Sequence, residues 1–230
     1  MDSKSKRLMV IGVVLIAIAI IVIGFFSLSK QPLFTLSNDT NVQIQVGWMN
    51  SFAESAIPAV TLKNTNFAKD KGLNLQYTAF QYGPPLVEAS IAGNIDVLFT
   101  GIMPAMSLLS KSDDWVIVGR LGYFQNAILI RSDLNINSIS DLKGKKIALP
   151  VGTGPHAPGM KLLLDNNLDP KKDVTVLNIK PTDYGVAFAS KQIDAAAWCE
   201  PLITLFKKQN IAYPLIKFND ILILIIKYRI

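Results

Sequence analysis

The residues with the clearest chemical potential lie between Leu142 and Leu164, in LKGKKIALPVGTGPHAPGMKLLL. Basic residues bound a short apolar run that stops at Pro150. A loop follows through Gly152, Thr153, Gly154 and His156, and beyond it Gly159 opens an apolar-periodic segment. The order reads as strand, loop, helix. Glycines allow tight turns that bare backbone N–H groups, and a helix start adds unpaired donors and a partial positive charge. That combination holds anions.

Two nucleotide readings can be tested on spacing. A phosphate loop of the form G-x-x-x-x-G-K-[ST] needs Lys and then Ser or Thr after its second glycine. Gly154 and Gly159 have the separation, but Met160 and Lys161 follow, so the pattern fails by one position. Gly152 to Ala157 does fit the dinucleotide pattern G-x-G-x-x-G/A. Its acidic partner, about 20 positions on at the end of the next strand, is missing: Asp173 precedes that strand and Asn178-Ile179-Lys180 ends it. No cofactor is expected.

The elements that must position this loop begin with the chain's N-terminus. Lys4, Lys6 and Arg7 precede Leu8 to Phe26, an apolar run of 19 residues without a charge. That is enough to span a bilayer as a helix, and the basic flank places the N-terminus inside and the rest of the chain outside the membrane. A cleaved signal peptide ending at Ser27-Leu28-Ser29 is the rival, although its apolar region would usually be shorter. Cys199 is the single cysteine, so no internal disulfide can form. The net charge of +6 is scattered rather than blocked and no nucleic-acid reader motif is present, so nucleic acid is not an expected partner.

After a polar linker from 30 to 41, strands and helices alternate, predicting an α/β fold with a largely parallel sheet. Strands are expected at Val42–Val46, Leu73–Ala79, Ile95–Phe99, Trp115–Leu121, Lys146–Leu149, Val174–Ile179 and Ile193–Ala197. Helices are expected at Phe52–Lys69, Pro85–Ala92, Pro104–Leu109, Pro158–Asp165 and Tyr184–Ser190. The order restarts after Asn126–Arg131. Ala89 to Thr100 lines up with Ala187 to Trp198, 98 residues later, each reading as helix, polar turn, Ile-Asp and apolar strand. Two such halves facing each other would enclose a cleft at the carboxyl ends of their strands.

The segment Phe80 to Ala89, the turn Gly93-Asn94-Ile95-Asp96, the run Asp141 to Ala148, and Ala187 to Asp194 with Trp198-Cys199-Glu200-Pro201 resemble one family. It is that of the ABC-transporter substrate-binding proteins for aliphatic sulfonates, nitrate, taurine and thiamine-pyrimidine precursors. The resemblance implies a two-lobed periplasmic-binding-protein type 2 fold, with lobe 1 at 42–125, lobe 2 at 126–217, and 218–230 crossing back to lobe 1. It implies a monomeric, non-enzymatic protein on the outer face of the cell membrane that captures a small, anionic solute and delivers it to a permease and ATPase complex. A tethered sensor domain is the alternative, followed by an enzyme resembling the thiamine-pyrimidine synthase, whose run of cysteines is missing here. The chain ends short of the family's usual length, so a truncated or frameshifted product is expected, in which Ile221 to Ile226 would lie unpaired, an aggregation hazard.

The cleft implied by this reading is lined by Trp48, Asn50, Gln81, Gly83, Thr100 and Gly101 in the first lobe. The second supplies Thr153, Gly154, His156, Asp183, Trp198 and Glu200. Backbone N–H groups and the Thr100 or Thr153 hydroxyls would hold a charged head group, Tyr82, Trp48 and Trp198 would cover an organic part, and Glu200 could pair with an amine. Each has a plainer role: His156, Asp183 and Glu200 as capping or solvated groups, Trp198 and Cys199 as core, Gly83 as a turn residue. Asp96 and Asp194, at equivalent repeat positions, read as structural turn residues. No metal site is expected, since the chain has one histidine.

Overall fold

The computed structural model describes residues 43–227, so the apolar run Leu8 to Phe26 and its expected anchor role lie outside the described residues. The first half begins with β1 (Gln43–Met49), whose alternation buries Ile44 and Val46 on one face and Gly47 and Met49 on the other. α1 (Ala53–Asn64) leads to the edge strand β2 (Asn74–Phe80), then α2 (Gly83–Ile91), the fully buried β3 (Val97–Gly101) and α3 (Ile102–Leu109). The second half repeats the plan with β5 (Lys146–Ala148), α4 (His156–Asp165), β6 (Thr175–Leu177), α5 (Tyr184–Ala189), β7 (Ala195–Cys199) and α6 (Leu202–Lys208). Two long strands, β4 (Trp115–Arg131) and β8 (Ala212–Lys227), run between the halves. All eight form one sheet in the order β2-β1-β3-β8-β4-β7-β5-β6.

The α/β alternation is as expected, and so is the internal repeat: β3 and β7 lie 98 residues apart in register. The turn Pro181–Asp183 with α5 covers the same repeat positions as α2. Several expectations are corrected. Ile221 to Ile226 is not an unpaired strand. It pairs antiparallel with β3 on one side and β4 on the other, and Leu222 to Ile226 are each at most 4 % exposed. Burial on that scale contributes roughly 2 kcal/mol per side chain.

The sheet is parallel only towards its two ends, where β1 pairs with β2 and β3, and β5 with β6 and β7. Its centre is antiparallel, because β4 and β8 are neighbours that each cross from one half to the other. Trp115–Leu121 and Asn126–Arg131 are likewise one strand, carried through register shifts at Ile117/Gly119 and Arg120/Gly122. Bulges bend a strand without ending it.

The helix expected at Phe52–Lys69 stops at Asn64. There Asn64, Thr65 and Asn66 break the helical run, and a 3-10 turn at Lys69–Lys71 closes on Gly72 at φ +71°. α6 was not foreseen. One hydrophobic cluster unites the halves: Met49, Leu86, Leu98 and Phe124 belong to the same buried set as Tyr184, Phe188, Trp198 and Phe206.

Candidate functional site between the two halves

The carboxyl ends of β1, β3 and β7 meet the second-half loop at one place. Met49, Phe52, Gly83, Gly101, Pro104, Phe124, Asn126, Thr153, Gly154, Pro155, Trp198 and Cys199 line a cleft of about 30 Å3, a water-sized space. Gly83 and Gly152 face each other across its mouth. A side chain at Gly152, held at φ +77°, would begin 3.2 Å from Pro84, and one at Gly83 would come within 3.7 Å of the Gly152 carbonyl oxygen while falling onto Pro104. These glycines allow the halves to touch. Inside, Phe52 and Phe124 meet edge to face at 4.1 Å between centroids.

Of the expected lining, the structure brings Gly83, Gly101, Thr153, Gly154 and Trp198 together. Trp48 is on the opposite face of β1 with Ile44 and Val46, packing against their cluster, since strand side chains alternate; its neighbour Met49 faces the cleft instead. Thr100 is buried, with its hydroxyl 4.0 Å from the Met49 sulfur. Asn50 and Gln81 are exposed, and Tyr82 is packed partly into the core cluster. Asp183 is exposed and accepts the Thr182 hydroxyl at 3.2 Å. Glu200 accepts the Thr204 N–H at 3.0 Å and its hydroxyl at 3.1 Å, securing the first turn of α6.

The loop that suggested an anion grip is largely satisfied from within. The Thr153 hydroxyl donates to the Pro150 carbonyl at 2.6 Å, the His156 N–H to Thr153 and the Gly159 N–H to Pro155. Pro158 has no N–H, and α4 starts two residues earlier than expected, which places Gly159 inside the helix against Leu149. The first turns of α2 and α3 also carry proline, at Pro84, Pro85 and Pro104, so few backbone donors face the cleft. Burial pushes the half-buried His156 imidazole below its ordinary pKa and keeps it neutral near pH 7.

What the cleft does offer is a pair of unused side chains. Asn126 is fully buried and neither its Nδ2 nor its Oδ1 has a partner among the described residues. Trp198, 4 % exposed and packed edge to face on Tyr184, leaves its Nε1–H equally unpartnered. A buried polar group without a hydrogen bond costs about 1–3 kcal/mol and calls for a reason. Both groups line the cleft, and a solute there would pair them. Phe52, Phe124 and Asn126 were missed from sequence. Asn126 carried a signal: with Gln125 it forms a pair of amides at the head of the apolar run Ala127 to Ile130.

Known proteins fit this geometry. The model of the NMT1-like family matches residues 37–221. The chain belongs to the NMT1-like family. This NMT1-like chain is 31% identical over 168 residues to a Brucella abortus protein named only as a binding protein, across 73% of this chain and 51% of that one. It is 24% identical over 164 residues to the taurine-binding periplasmic protein of Escherichia coli, covering 70% and 50% respectively. It thus spans about half the length of the curated relatives it matches. In structure it resembles the alkanesulfonate-binding protein of Xanthomonas axonopodis bound to MOPS, with a TM-score of 0.66 at 23% identity, over 81% of this chain and 65% of that one. The fold is that of the periplasmic binding proteins.

Proposed function

We propose that this chain captures a small organic solute of the sulfonate class in the cleft and hands it to an ABC permease and its ATPase, without chemistry of its own. Residues 42–125 and 126–217 would act as two lobes, with 218–230 returning to the first. Leu8 to Phe26 would tether a monomer to the outer face of the membrane. Three facts support this reading: membership of the NMT1-like family, the named ligands of the E. coli and Xanthomonas proteins, and a cleft built from both halves.

The observation that carries it is the pair of buried, unpartnered donors at Asn126 and Trp198. A sulfonate oxygen would accept from both. A solute of organic size needs the Gly83–Gly152 mouth to part first, and one that touches both halves then favours closure through its differential contacts with the closed state.

A thermal-shift screen of the full chain with taurine, ethanesulfonate, nitrate, bicarbonate and aminopyrimidines tests the reading. A ligand at 100 times its Kd adds about 2.7 kcal/mol, which should raise Tm by roughly 5–10 °C. Asn126→Leu should abolish the shift. Melting unchanged by every solute would refute solute capture.

A further inference from the structure

A second cavity, of about 300 Å3, lies outside the cleft. The last turn of α1, the 3-10 turn at Lys69–Lys71 and the first four residues of β2 border it. Because α1 stops at Asn64 and Thr65 is extended, the chain leaves the line of the helix before it turns back into the sheet, and the space lies within that detour. In the parallel pairing of β1 with β2, Asn74 lies opposite Gln43, so the cavity sits towards the amino ends of these strands. The cleft sits at the carboxyl ends. The volume is at the lower end for a small-molecule site.

The lining has an apolar side and a cationic one. Leu62, Ala68, Leu73 and Leu75 form the first, and Lys63 and Lys69 the second. Neither lysine is ion-paired among the described residues. Asp70 is the one carboxylate from Ser55 to Val87, and it is exposed and does not line the cavity. Lys63, in the last turn of α1, offsets the partial negative charge of that helix end, and Lys69 leaves the cavity net positive. Tyr77 also lines the space, and its hydroxyl is buried with no hydrogen-bond partner among the described residues. Burial raises its pKa above the ordinary 10, so the group stays a protonated donor. A buried polar atom without a bond calls for a reason, and an acceptor seated in the cavity would supply one. The Thr65 hydroxyl is already spent on the Thr61 carbonyl, at 2.8 Å.

We propose that this cavity is a second binding site, separate from the cleft, for an organic phosphate. Its phosphate oxygens would accept from Lys63, Lys69 and the Tyr77 hydroxyl, and its carbon part would lie on Leu62, Leu73 and Leu75. A phosphate monoester carries a charge of about −2 above pH 7 and three acceptor oxygens, which suits two ammonium groups and one hydroxyl. A carboxylate or a sulfonate brings a single charge. The same chemistry is offered by a free phosphate ester and by the head group of an anionic phospholipid.

Isothermal titration calorimetry of the full chain at pH 7.5 compares phenyl phosphate with inorganic phosphate, benzoate and dihexanoylphosphatidylglycerol. Phenyl phosphate should bind at least about tenfold more tightly than benzoate, the factor one charge-assisted hydrogen bond can supply, and more tightly than inorganic phosphate. Tighter phenyl phosphate than phospholipid assigns the site to free esters, and the reverse order to a lipid head group. Lys63→Ala with Lys69→Ala should weaken binding by at least about tenfold while leaving the thermal response to cleft solutes as it was, and Tyr77→Phe should weaken it less. Acetylation followed by mass spectrometry on the unaltered chain locates the ligand: phenyl phosphate should slow the reaction at Lys63 and Lys69 and not at the exposed Lys207 and Lys208 of α6. No binding of either phosphate ester, inorganic phosphate as tight as phenyl phosphate, or protection that misses Lys63 and Lys69 would overturn the proposal, whatever the variants do. A solute panel without effect, with phenyl phosphate still protecting both lysines, would remove solute capture and leave this site standing.

Discussion

The two Ile-Asp turns show what an internal repeat preserves and what it leaves free. At Asp96 the backbone N–H donates to the Gln45 carbonyl at 2.8 Å, and the carboxylate accepts the Gln45 N–H at 2.9 Å. At Asp194 the same two bonds run to Lys146, at 2.8 and 2.9 Å. Each aspartate carbonyl then accepts an N–H from a long strand, from Lys227 in the first half and Arg131 in the second. This is a device for stapling a strand start to its neighbour, and it is the same in both halves.

The side chains laid over it differ. In the second half the Arg131 guanidinium, 9 % exposed, bonds the Ile193 carbonyl at 2.7 Å, the Asp194 carboxylate at 3.0 Å and Asp133 at 2.6 Å. Gly93, at φ +83°, ends the helix of the first half. Its repeat partner in the second is Lys191, held at φ +59° and ion-paired to Asp133 at 3.3 Å. The backbone bonds are dictated by topology and recur, whereas the charged overlay belongs to one half only.

The sharpest way to break the comparison is to remove each aspartate. Asp194→Ala leaves a buried guanidinium short of a partner as well as an N–H unbonded, and should cost about 3–4 kcal/mol in urea unfolding. Asp96→Ala loses the staple alone and should cost about 1–2 kcal/mol. Equal losses would mean that the guanidinium overlay adds nothing.

The helix ends give a smaller effect of opposite sign. Gly93→Lys forces a side chain into the left-handed region and should destabilise by about 1 kcal/mol. Lys191→Gly relieves the same strain, offset by the lost exposed ion pair and a freer unfolded chain, for a net gain of at most about 0.5 kcal/mol.

Acid supplies the smallest and most local contrast. In the second half Asp133, Asp141 and Asp173 titrate below the ordinary value of 3.8, chiefly because of hydrogen bonds from Arg131, from the Asn137 backbone and from the Asp169 backbone. Their contribution is present above pH 3.8 and is lost as pH falls through the lowered folded values. Glu54 in the first half is the reverse: burial, and after it the charge of Glu200, raises its carboxyl above 4.5. What it contributes is present below pH 4.5 and is lost as pH rises through the raised value. Hydrogen exchange should therefore show second-half amides losing protection first below about pH 3.8, and Glu54→Gln should flatten the stability slope just above pH 4.5.

Much of the fold could be read locally. Helix period, Gly and Pro punctuation and the repeated Ile-Asp turn located most elements, because each depends on neighbours in sequence. β8 was misread because its pairing is non-local. Ile221 to Ile226 look unpaired until β3 and β4 are known to flank them, across more than 100 residues in the case of β3. The cleft was legible where glycines and a tryptophan end strands, and illegible where it depends on which face a residue presents. Trp48 and Met49 differ by one position and point to opposite sides of the sheet. Asn126 sits on the crossing strand β4 and meets the cleft only once β4, with its register shifts, is laid along β8.

β8 follows every other described strand in the chain, yet it lies fourth in the sheet, between β3 and β4. A growing chain must therefore keep two strand edges open until Ala212 to Lys227 has been made. An intermediate stopped before Ala212 would display the inward edges of β3 and β4, two buried surfaces with no neighbour between them. Closure of the described sheet thus waits for Ala212 to Lys227, and its centre is completed after its flanks.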